Sequence, residues 1–344
     1  MIPLRGTYID CLWEGSPEIR AADTAKLLDA GFDCFTSQIR SSVLDATSVD
    51  AKWLDACKAA GAKVIVVPNT LQPAQYQSLV ARYPDTIIGY HLQDDANGVE
   101  PADVLAAYNA MKPFLAGTFA YITVGKGTPH ANYAALWAGE QYHVQNYIGK
   151  AVNSGDGMKK YAYDDMILAR AAVPAAGRLW GSAWLGKSTT PYFGRRDPVW
   201  TSLDYANPYL QEAVIWLQLM AGMDHLNAYT AYSIPNVGTL TFPGTESRLA
   251  DRWDLLPGWK LINGRIKGLG PYLNGGVRIT RYDAATKTCI GEWKLTTGES
   301  LLVSVDVTSE FYPRAAWEIK TPVPATVTNL RVTSQGPVVV EKLP

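Results

Sequence analysis

The feature of this sequence that most limits how it can fold is a strand pattern followed by a helix pattern, repeated eight times before about residue 268. The strand patterns are short apolar runs such as 63–69, and the helix patterns carry an apolar stripe with helical period, as in 210–220. Alternation of this kind predicts parallel strands joined by crossover helices. Eight repeats within this length predict an α/β fold of the closed (β/α)8-barrel type.

The pattern changes near residue 270, after which short alternating segments are separated by Gly, Pro, Thr and Asn turns. Such spacing predicts a small antiparallel sheet or sandwich. Its expected strands are 277–282, 289–295, 300–307, 315–320 and 338–341. We therefore predict a barrel domain over 1–269 and an all-β accessory domain over 270–344.

Composition excludes several classes of partner. The net charge is −1, with 31 Lys and Arg against 32 Asp and Glu, so the basic field needed to bind nucleic acid is missing. The four cysteines form no CxxC pair, and we expect free, mostly buried thiols. No apolar run approaches the ~20 residues of a membrane span, and the N-terminus lacks a signal-peptide pattern. We expect a soluble protein that is cytoplasmic or carried on a virion, with no membrane partner.

Two adjacent carboxylates, Asp94 and Asp95, directly follow the fourth predicted strand, 86–93. The reactive groups of barrel enzymes lie at this end of the strands. Since side chains alternate along a strand, both acids can point into the barrel mouth only if the backbone turns here. Repulsion between them would raise the pKa of one, as a general acid requires. The alternative is that one acid caps the turn and the other is solvated.

Other polar and aromatic residues stand at predicted strand ends, where they could hydrogen-bond hydroxyl groups or stack on sugar rings. They are Asp10, Trp13, Gln38, Arg40, His91, Gln93, Gln145, Asn146, Tyr147, Trp184, Asn227, Tyr229 and Tyr232. The same residues could equally serve ordinary barrel packing. If the mouth binds sugar, at least two of Trp13, Tyr147, Trp184, Tyr192, Tyr229 and Tyr232 should line the cleft that holds Asp94 and Asp95.

Cofactor and metal chemistry has no support in the sequence. The four histidines form no HxH pair, so the ligand set of metal-dependent amidohydrolases is missing. No GxSxG, GxxxxGK[ST] or strand-helix GxGxxG motif is present. We expect neither a cofactor nor a metal.

The segment 88–97, Ile-Gly-Tyr-His-Leu-Gln-Asp-Asp-Ala-Asn, resembles the strand-four motif Gly-Tyr-x-x-x-Asp-Glu-Pro of (β/α)8-barrel glycoside hydrolases. The segments 142–148 and 207–232 resemble later parts of that family, and the C-terminal sheet resembles its accessory β-domain. The resemblance places Asp95 at the Glu acid/base position and Asp94 at the preceding Asp. The chain departs from the family where Ala96 replaces Pro and where Trp184-Leu185-Gly186 stands in place of a strand-seven Glu nucleophile.

The resemblance implies a glycoside hydrolase acting on an oligosaccharide or polysaccharide, with Asp95 as general acid and Asp94 orienting or supporting it. The second carboxylate could be Asp10, Glu14 or Asp156, and retention and inversion both stay open. The alternative is a barrel that binds glycan without cleaving it, or a structural protein of a larger assembly such as a phage particle. The missing strand-seven Glu and the missing export signal favour that alternative.

Overall fold

The computed structural model describes residues 8–13, 17–134, 140–146, 155–184, 208–232, 256–307, 332–333 and 338–343. Eight parallel strands form a closed barrel in which β1 pairs with both β2 and β8. The strands are β1 (Ile9–Trp13), β2 (Cys34–Ile39), β3 (Lys63–Pro68), β4 (Ile87–Gln93), β5 (Phe119–Gly125), β6 (Gln141–Gln145), β7 (Arg178–Trp184) and β8 (His225–Tyr232). The predicted barrel is confirmed.

Helices follow the strands and cover the outside of the barrel. They are α1 (Pro17–Asp29), α2 (Val49–Ala59), α3 (Pro73–Arg82), α4 (Pro101–Met111), α5 (His130–Ala134), α6 (Gly155–Met158), α7 (Asp165–Ala172), α8 (Pro208–Ala221), α9 (Leu256–Gly268) and α10 (Gly270–Gly275). Proline opens several of them because its missing N–H costs nothing at a helix start. The Ser48 side chain caps α2 by accepting from the backbone N–H of Ala51.

The alternation of side chains divides the barrel strands between two cores. On β3, Val64 and Val66 face the helices, whereas Ile65 faces the barrel interior. The base of that interior is filled by a cluster of six buried side chains: Cys34, Ile65, Ile88, Phe119, Tyr121 and Trp180. A strand covered on both faces needs apolar, β-branched residues at its centre, and this is what β3 has.

Two elements differ from the sequence prediction, and two predicted segments are not described. The helix expected over 158–173 is interrupted by a π-helical segment, Lys159–Asp164, between α6 and α7. The short helix α10 occupies a segment predicted to begin the all-β domain. The predicted strand 315–320 and the expected start of the last helix, 247–255, lie outside the described residues.

A separate antiparallel sheet follows the barrel, in the order β12-β13-β11-β10-β9. Its strands are β9 (Val277–Asp283), β10 (Thr288–Lys294), β11 (Ser300–Asp306), β12 (Val332–Thr333) and β13 (Val338–Leu343). The sheet packs on α8, where the rings of Trp216 and Trp293 meet edge-on with centroids 6.2 Å apart. The Tyr163 hydroxyl lies 2.6 Å from Thr280 Oγ1, which adds a polar contact to the barrel.

Cys34 and Cys289 are free and buried, as predicted for these thiols, and Cys57 is buried as well. Among the described helices, none combines the length and apolar character that crossing a membrane would require.

Candidate active site

The acid pair lies at the C-terminal end of β4, where the chain turns sharply. Asp95 has left-handed backbone angles, φ 44° and ψ 46°, and a single 3-10 turn, Ala96–Gly98, follows it. Asp is one of the few residues other than glycine that tolerate this conformation. The turn is held by the Asp95 backbone N–H, which donates to Thr123 Oγ1 at 3.2 Å. The backbone turn required to bring both acids to the barrel mouth is therefore present.

The Asp94 carboxylate is fixed by two neighbouring strands. Its Oδ1 accepts hydrogen bonds from the Thr123 hydroxyl on β5 and, at 3.0 Å, from Gln145 Nε2 on β6. Its backbone carbonyl accepts from Gln93 Nε2 at 2.7 Å. The ends of β4, β5 and β6 thus meet at Asp94, whose side chain is exposed. Hydrogen bonds to an ionised acceptor are stronger than neutral ones, so this geometry orients Asp94 firmly.

The Asp95 carboxyl is free of such restraints. Among the described residues, none donates a hydrogen bond to it. Its pKa is raised, first because nearby protein removes water from the charged form and second because of the negative charge of Asp94. A carboxyl that holds its proton to higher pH, beside an anchored carboxylate, is suited to donate a proton.

His91 lies below the acid pair, facing the barrel interior. Its ring centroid is 5.2 Å from that of Tyr121, and only 9% of the residue is exposed. Burial lowers the pKa of His91, while the negative charge of Asp94 opposes the shift. His91 therefore belongs to the floor under the site, and the prediction that it touches substrate is not favoured by this placement.

Asp10 and Asn227 lie deeper inside the barrel than the sequence prediction assumed. Asp10 Oδ2 accepts hydrogen bonds from Thr36 Oγ1 at 2.5 Å and from Asn227 Nδ2, and Asp10 has no exposed surface. Burial raises the pKa of Asp10 to about 6. A carboxylate in this position does not reach the barrel mouth, so neither substrate binding by Asp10 nor its use as the second carboxylate is favoured.

The Arg40 side chain forms an ion pair with a residue of α2. Its Nε lies 2.8 Å from the Oδ2 of Asp50, a buried residue in the first turn of α2. An arginine that neutralises a buried carboxylate is held in place by the cost of exposing that charge unpaired. Gln38, by contrast, lies at the exposed ends of β2 and β3, where its Oε1 is 3.4 Å from Asn69 Nδ2.

Of the other predicted residues, one is described and the side chains of the rest are not. Asn146 follows β6 and is fully buried, and neither atom of its side-chain amide has a hydrogen-bond partner among the described residues. Tyr147 and Tyr192 lie outside the described residues, as do the side chains of Trp13, Trp184, Tyr229 and Tyr232. The expected stacking platform therefore stays a prediction.

Sequence reasoning missed Thr123, which contacts both acids. The available signal was a polar residue on the inward-facing alternation of an otherwise apolar strand, close to its C-terminal end. As for metals, the described part of the chain brings together no group of three His, Cys, Asp or Glu side chains that could hold an ion.

No protein-family model matches this chain, and no curated protein matches it. Solved structures do. The β-glucuronidase of Ruminococcus gnavus is 12% identical with a TM-score of 0.51, over 74% of this chain and 49% of that one. A candidate β-galactosidase from Bacteroides fragilis is 10% identical with a TM-score of 0.50, over 98% of this chain and 54% of that one. This chain thus spans about half the length of each of these two structures, and at this identity the likeness shows the fold alone.

Proposed function

We propose that this protein is a glycosidase that cleaves an oligosaccharide or polysaccharide, with Asp95 as general acid and Asp94 as its fixed partner. The observation that carries the proposal is the convergence of Thr123 and Gln145 on Asp94, directly beside the unrestrained carboxyl of Asp95. This arrangement stands at the end of the barrel where enzymes of this fold carry out their chemistry.

The two carboxyl groups have environments that suit different roles. The raised pKa of Asp95 supports a proton donor for the leaving glycosidic oxygen. Asp94, anchored by two donors, is suited to support the positive charge that develops on the sugar ring. Asp95 also keeps its proton more readily because the negative charge of Asp94 lies next to it. The role of Asp95 as proton donor therefore depends in part on Asp94.

The second catalytic carboxylate remains to be assigned. With Asp10 buried, the candidates from the sequence are Glu14 and Asp156, whose side chains lie outside the described residues. A separation of ~5 to 5.5 Å from the acid would give retention, and ~6.5 to 9.5 Å would give inversion. Proton NMR of the first-formed sugar anomer distinguishes the two outcomes.

The competing function is a barrel that binds glycan without cleaving it. The observation in its favour is the end of β7, where Trp184-Leu185-Gly186 stands in place of the Glu that the resemblance leads one to expect. A structural or receptor-binding role in a larger assembly needs an exposed polar mouth and no proton donor.

A reducing-end assay on mixed α- and β-linked oligosaccharides separates the two functions. The wild type should release new reducing ends, and the double variant Asp94→Asn/Asp95→Asn should release none. Asp85→Asn is the matched control, because Asp85 is an exposed acid just before the opposite end of the same strand. Glycan binding without release of reducing ends in the wild type would favour the non-catalytic function.

A further inference from the structure

Polar side chains face the interior of this barrel at mid-height, where barrels usually place branched apolar residues. We name them the polar belt: Asp10, Thr36, His91, Tyr121, His143, Ser182 and Asn227, from seven of the eight strands. All are buried. Contacts connect them on both sides, since Asp10 bonds to Thr36 and Asn227, and Tyr121 stacks on His143 with centroids 5.5 Å apart. Ser182 and Asn227 are register partners on β7 and β8.

The hydrogen bonds of His143 determine which of its nitrogens carries the proton. The Ser182 hydroxyl donates to the Val144 carbonyl at 2.9 Å, so its oxygen must accept from His143 Nε2, 2.7 Å away. Burial lowers the pKa of His143 to about 3, so the ring is neutral and Nδ1 is a bare lone pair. That Nδ1 is buried and has no partner among the described residues.

His225 lies at the lower edge of the same interior, and in the described part of the chain it lacks a hydrogen-bond acceptor where His143 lacks a donor. The backbone N–H of Tyr8 donates to His225 Nδ1 at 3.1 Å, so the proton of the neutral ring lies on Nε2. This buried N–H has no acceptor among the described residues. His225 packs against Trp180, with centroids 4.7 Å apart, and Trp180 in turn meets Tyr121, 5.4 Å away. Both imidazoles therefore border one aromatic cluster.

Two further atoms of the belt, Asp10 Oδ1 and His91 Nε2, are also buried. Neither has a hydrogen-bond partner in the described part of the chain. Leaving such groups unpaired is costly, and native proteins pair almost all of them. The atoms differ in whether they need a hydrogen-bond donor or an acceptor, and this limits the kind of ligand that can bind to all four. His143 Nδ1 needs a donor, whereas His225 Nε2–H needs an acceptor and would repel a cation. The ligand must both donate and accept, and it must be small enough for a closed interior.

We propose that the barrel interior is a binding site for water, in which buried water molecules donate to His143 Nδ1, accept from His225 Nε2–H and complete the hydrogen bonds of Asp10 and His91. Buried waters typically make about three hydrogen bonds to polar groups that lack protein partners. The site does not depend on whether the barrel mouth is catalytic. It gives the polar belt a role, because a dry interior with these tautomers would leave several hydrogen bonds unmade.

Nitrogen NMR on the wild-type protein tests this site directly. The chain has 4 histidines, so the imidazole signals of uniformly 15N-labelled, deuterated protein can be assigned individually. We expect His143 and His225 both to be Nε2–H tautomers, the His143 Nδ1 shift to be that of an acceptor, and cross-relaxation with water at both rings. His130 is the internal control, because its nitrogens lie 2.9 Å from the Tyr142 hydroxyl and 3.1 Å from Asp165 Oδ1.

The result that overturns the proposal is a His143 Nδ1 shift typical of a free lone pair, with no water cross-relaxation beyond that of His130. An Nδ1–H tautomer at His143 would overturn it as well, since the lone pair would then be on the wrong nitrogen. Tyr121→Phe tests whether the water signals reach the histidine rings indirectly, through the exchangeable hydroxyl proton of Tyr121. The water signals at His143 and His225 should persist in this variant, and their loss would also contradict the proposal.

Discussion

At the scale of single residues, the account depends on Asp95 adopting a left-handed conformation next to an anchored Asp94. Sequence alone placed both acids after a buried strand, but it could not say which would be anchored. That depends on Thr123 and Gln145, which come from other strands and meet Asp94 only after the barrel closes. The inward-facing position of Thr123 on β5 can be predicted from the sequence, but its pairing with Asp94 leaves no local pattern.

Thr123→Val tests the anchor of Asp94. Valine keeps the shape of threonine but removes the hydroxyl that bonds both acids, so turnover should fall roughly 10-fold or more. The free energy of unfolding should fall by about 1.5–3 kcal/mol, because a charged acceptor loses its donor. Urea unfolding and initial rates measure the two effects.

Thr118→Val is the matched control for that variant. Thr118 precedes the same strand at its opposite end and bonds to the Tyr76 hydroxyl at 2.7 Å. Its loss should lower stability while leaving turnover per folded molecule unchanged. Equal loss of turnover in both variants would mean that Thr123 acts only through stability.

Asp10 should make stability fall as pH rises. Because burial raises its folded-state pKa to about 6, the folded protein binds more protons than the unfolded chain between that value and the ordinary Asp pKa. Roughly two pH units at ~1.36 kcal/mol each predict that the wild type loses about 3 kcal/mol relative to Asp10→Asn between ~pH 3 and ~pH 7. Urea unfolding across this range measures it, and a constant difference between the two proteins would contradict it.

At the scale of elements, β4 is the strand that positions the acids, and its pairing is irregular on both sides. The register shifts where β4 pairs with β3 and again where it pairs with β5, near His91. Gly89 sits between these irregularities, and a Cβ there would collide with the Phe119 ring. Irregular pairing next to a site re-aims side chains.

Gly89→Ala should therefore cost about 1–3 kcal/mol of stability, the usual range for overpacking a core, and should reduce turnover by displacing β4. Gly98→Ala is the control, because nothing lies within 4 Å of the added methyl at that position. Chemical unfolding and initial rates compare the two variants. Unchanged turnover in folded Gly89→Ala would show that the packing of β4 at this position does not affect the site.

Sequence patterns predicted element types well and their irregularities poorly. Apolar stripes and capping residues are local, so helices such as Val49–Ala59 follow from them. The π-helical segment Lys159–Asp164 is different, since one extra residue per turn shifts the stripe too little to be seen in so short a segment. The change of pattern near residue 270 predicts the start of the all-β domain, whereas the structure begins the helix α10 there, with proline in its first turn.

At the scale of the whole molecule, the C-terminal sheet and the barrel share a buried interface on α8. Trp216, Trp293 and Met220 are all nearly or fully buried there. The sequence predicted a separate sheet, but the face of α8 that it covers could not be predicted, because α8 is apolar almost all round. We expect barrel and sheet to unfold together.

Trp293→Ala should lower the free energy of unfolding by about 3–5 kcal/mol, as large cavities do, while keeping a single transition. Circular dichroism and Trp fluorescence should report the same midpoint. Ile279→Ala is the control, since that side chain is 52% exposed and its loss should change little. A sheet transition that precedes the barrel transition would show two independent units.

The central claim is that Asp95 is the proton donor of a glycosidase, and turnover by Asp95→Asn tests it most directly. Asparagine keeps the shape, tolerates the left-handed backbone and still hydrogen-bonds hydroxyl groups, but it cannot donate a proton to the leaving oxygen. We predict that glycan binding survives while kcat falls by roughly 10²–10⁴. Asp94→Asn should be milder and should move the alkaline limb of the pH profile, which reports deprotonation of Asp95, to lower pH, because a neighbouring negative charge is removed. If Asp95→Asn keeps full turnover while Asp94→Asn abolishes it, the assigned roles are reversed and the claim is wrong.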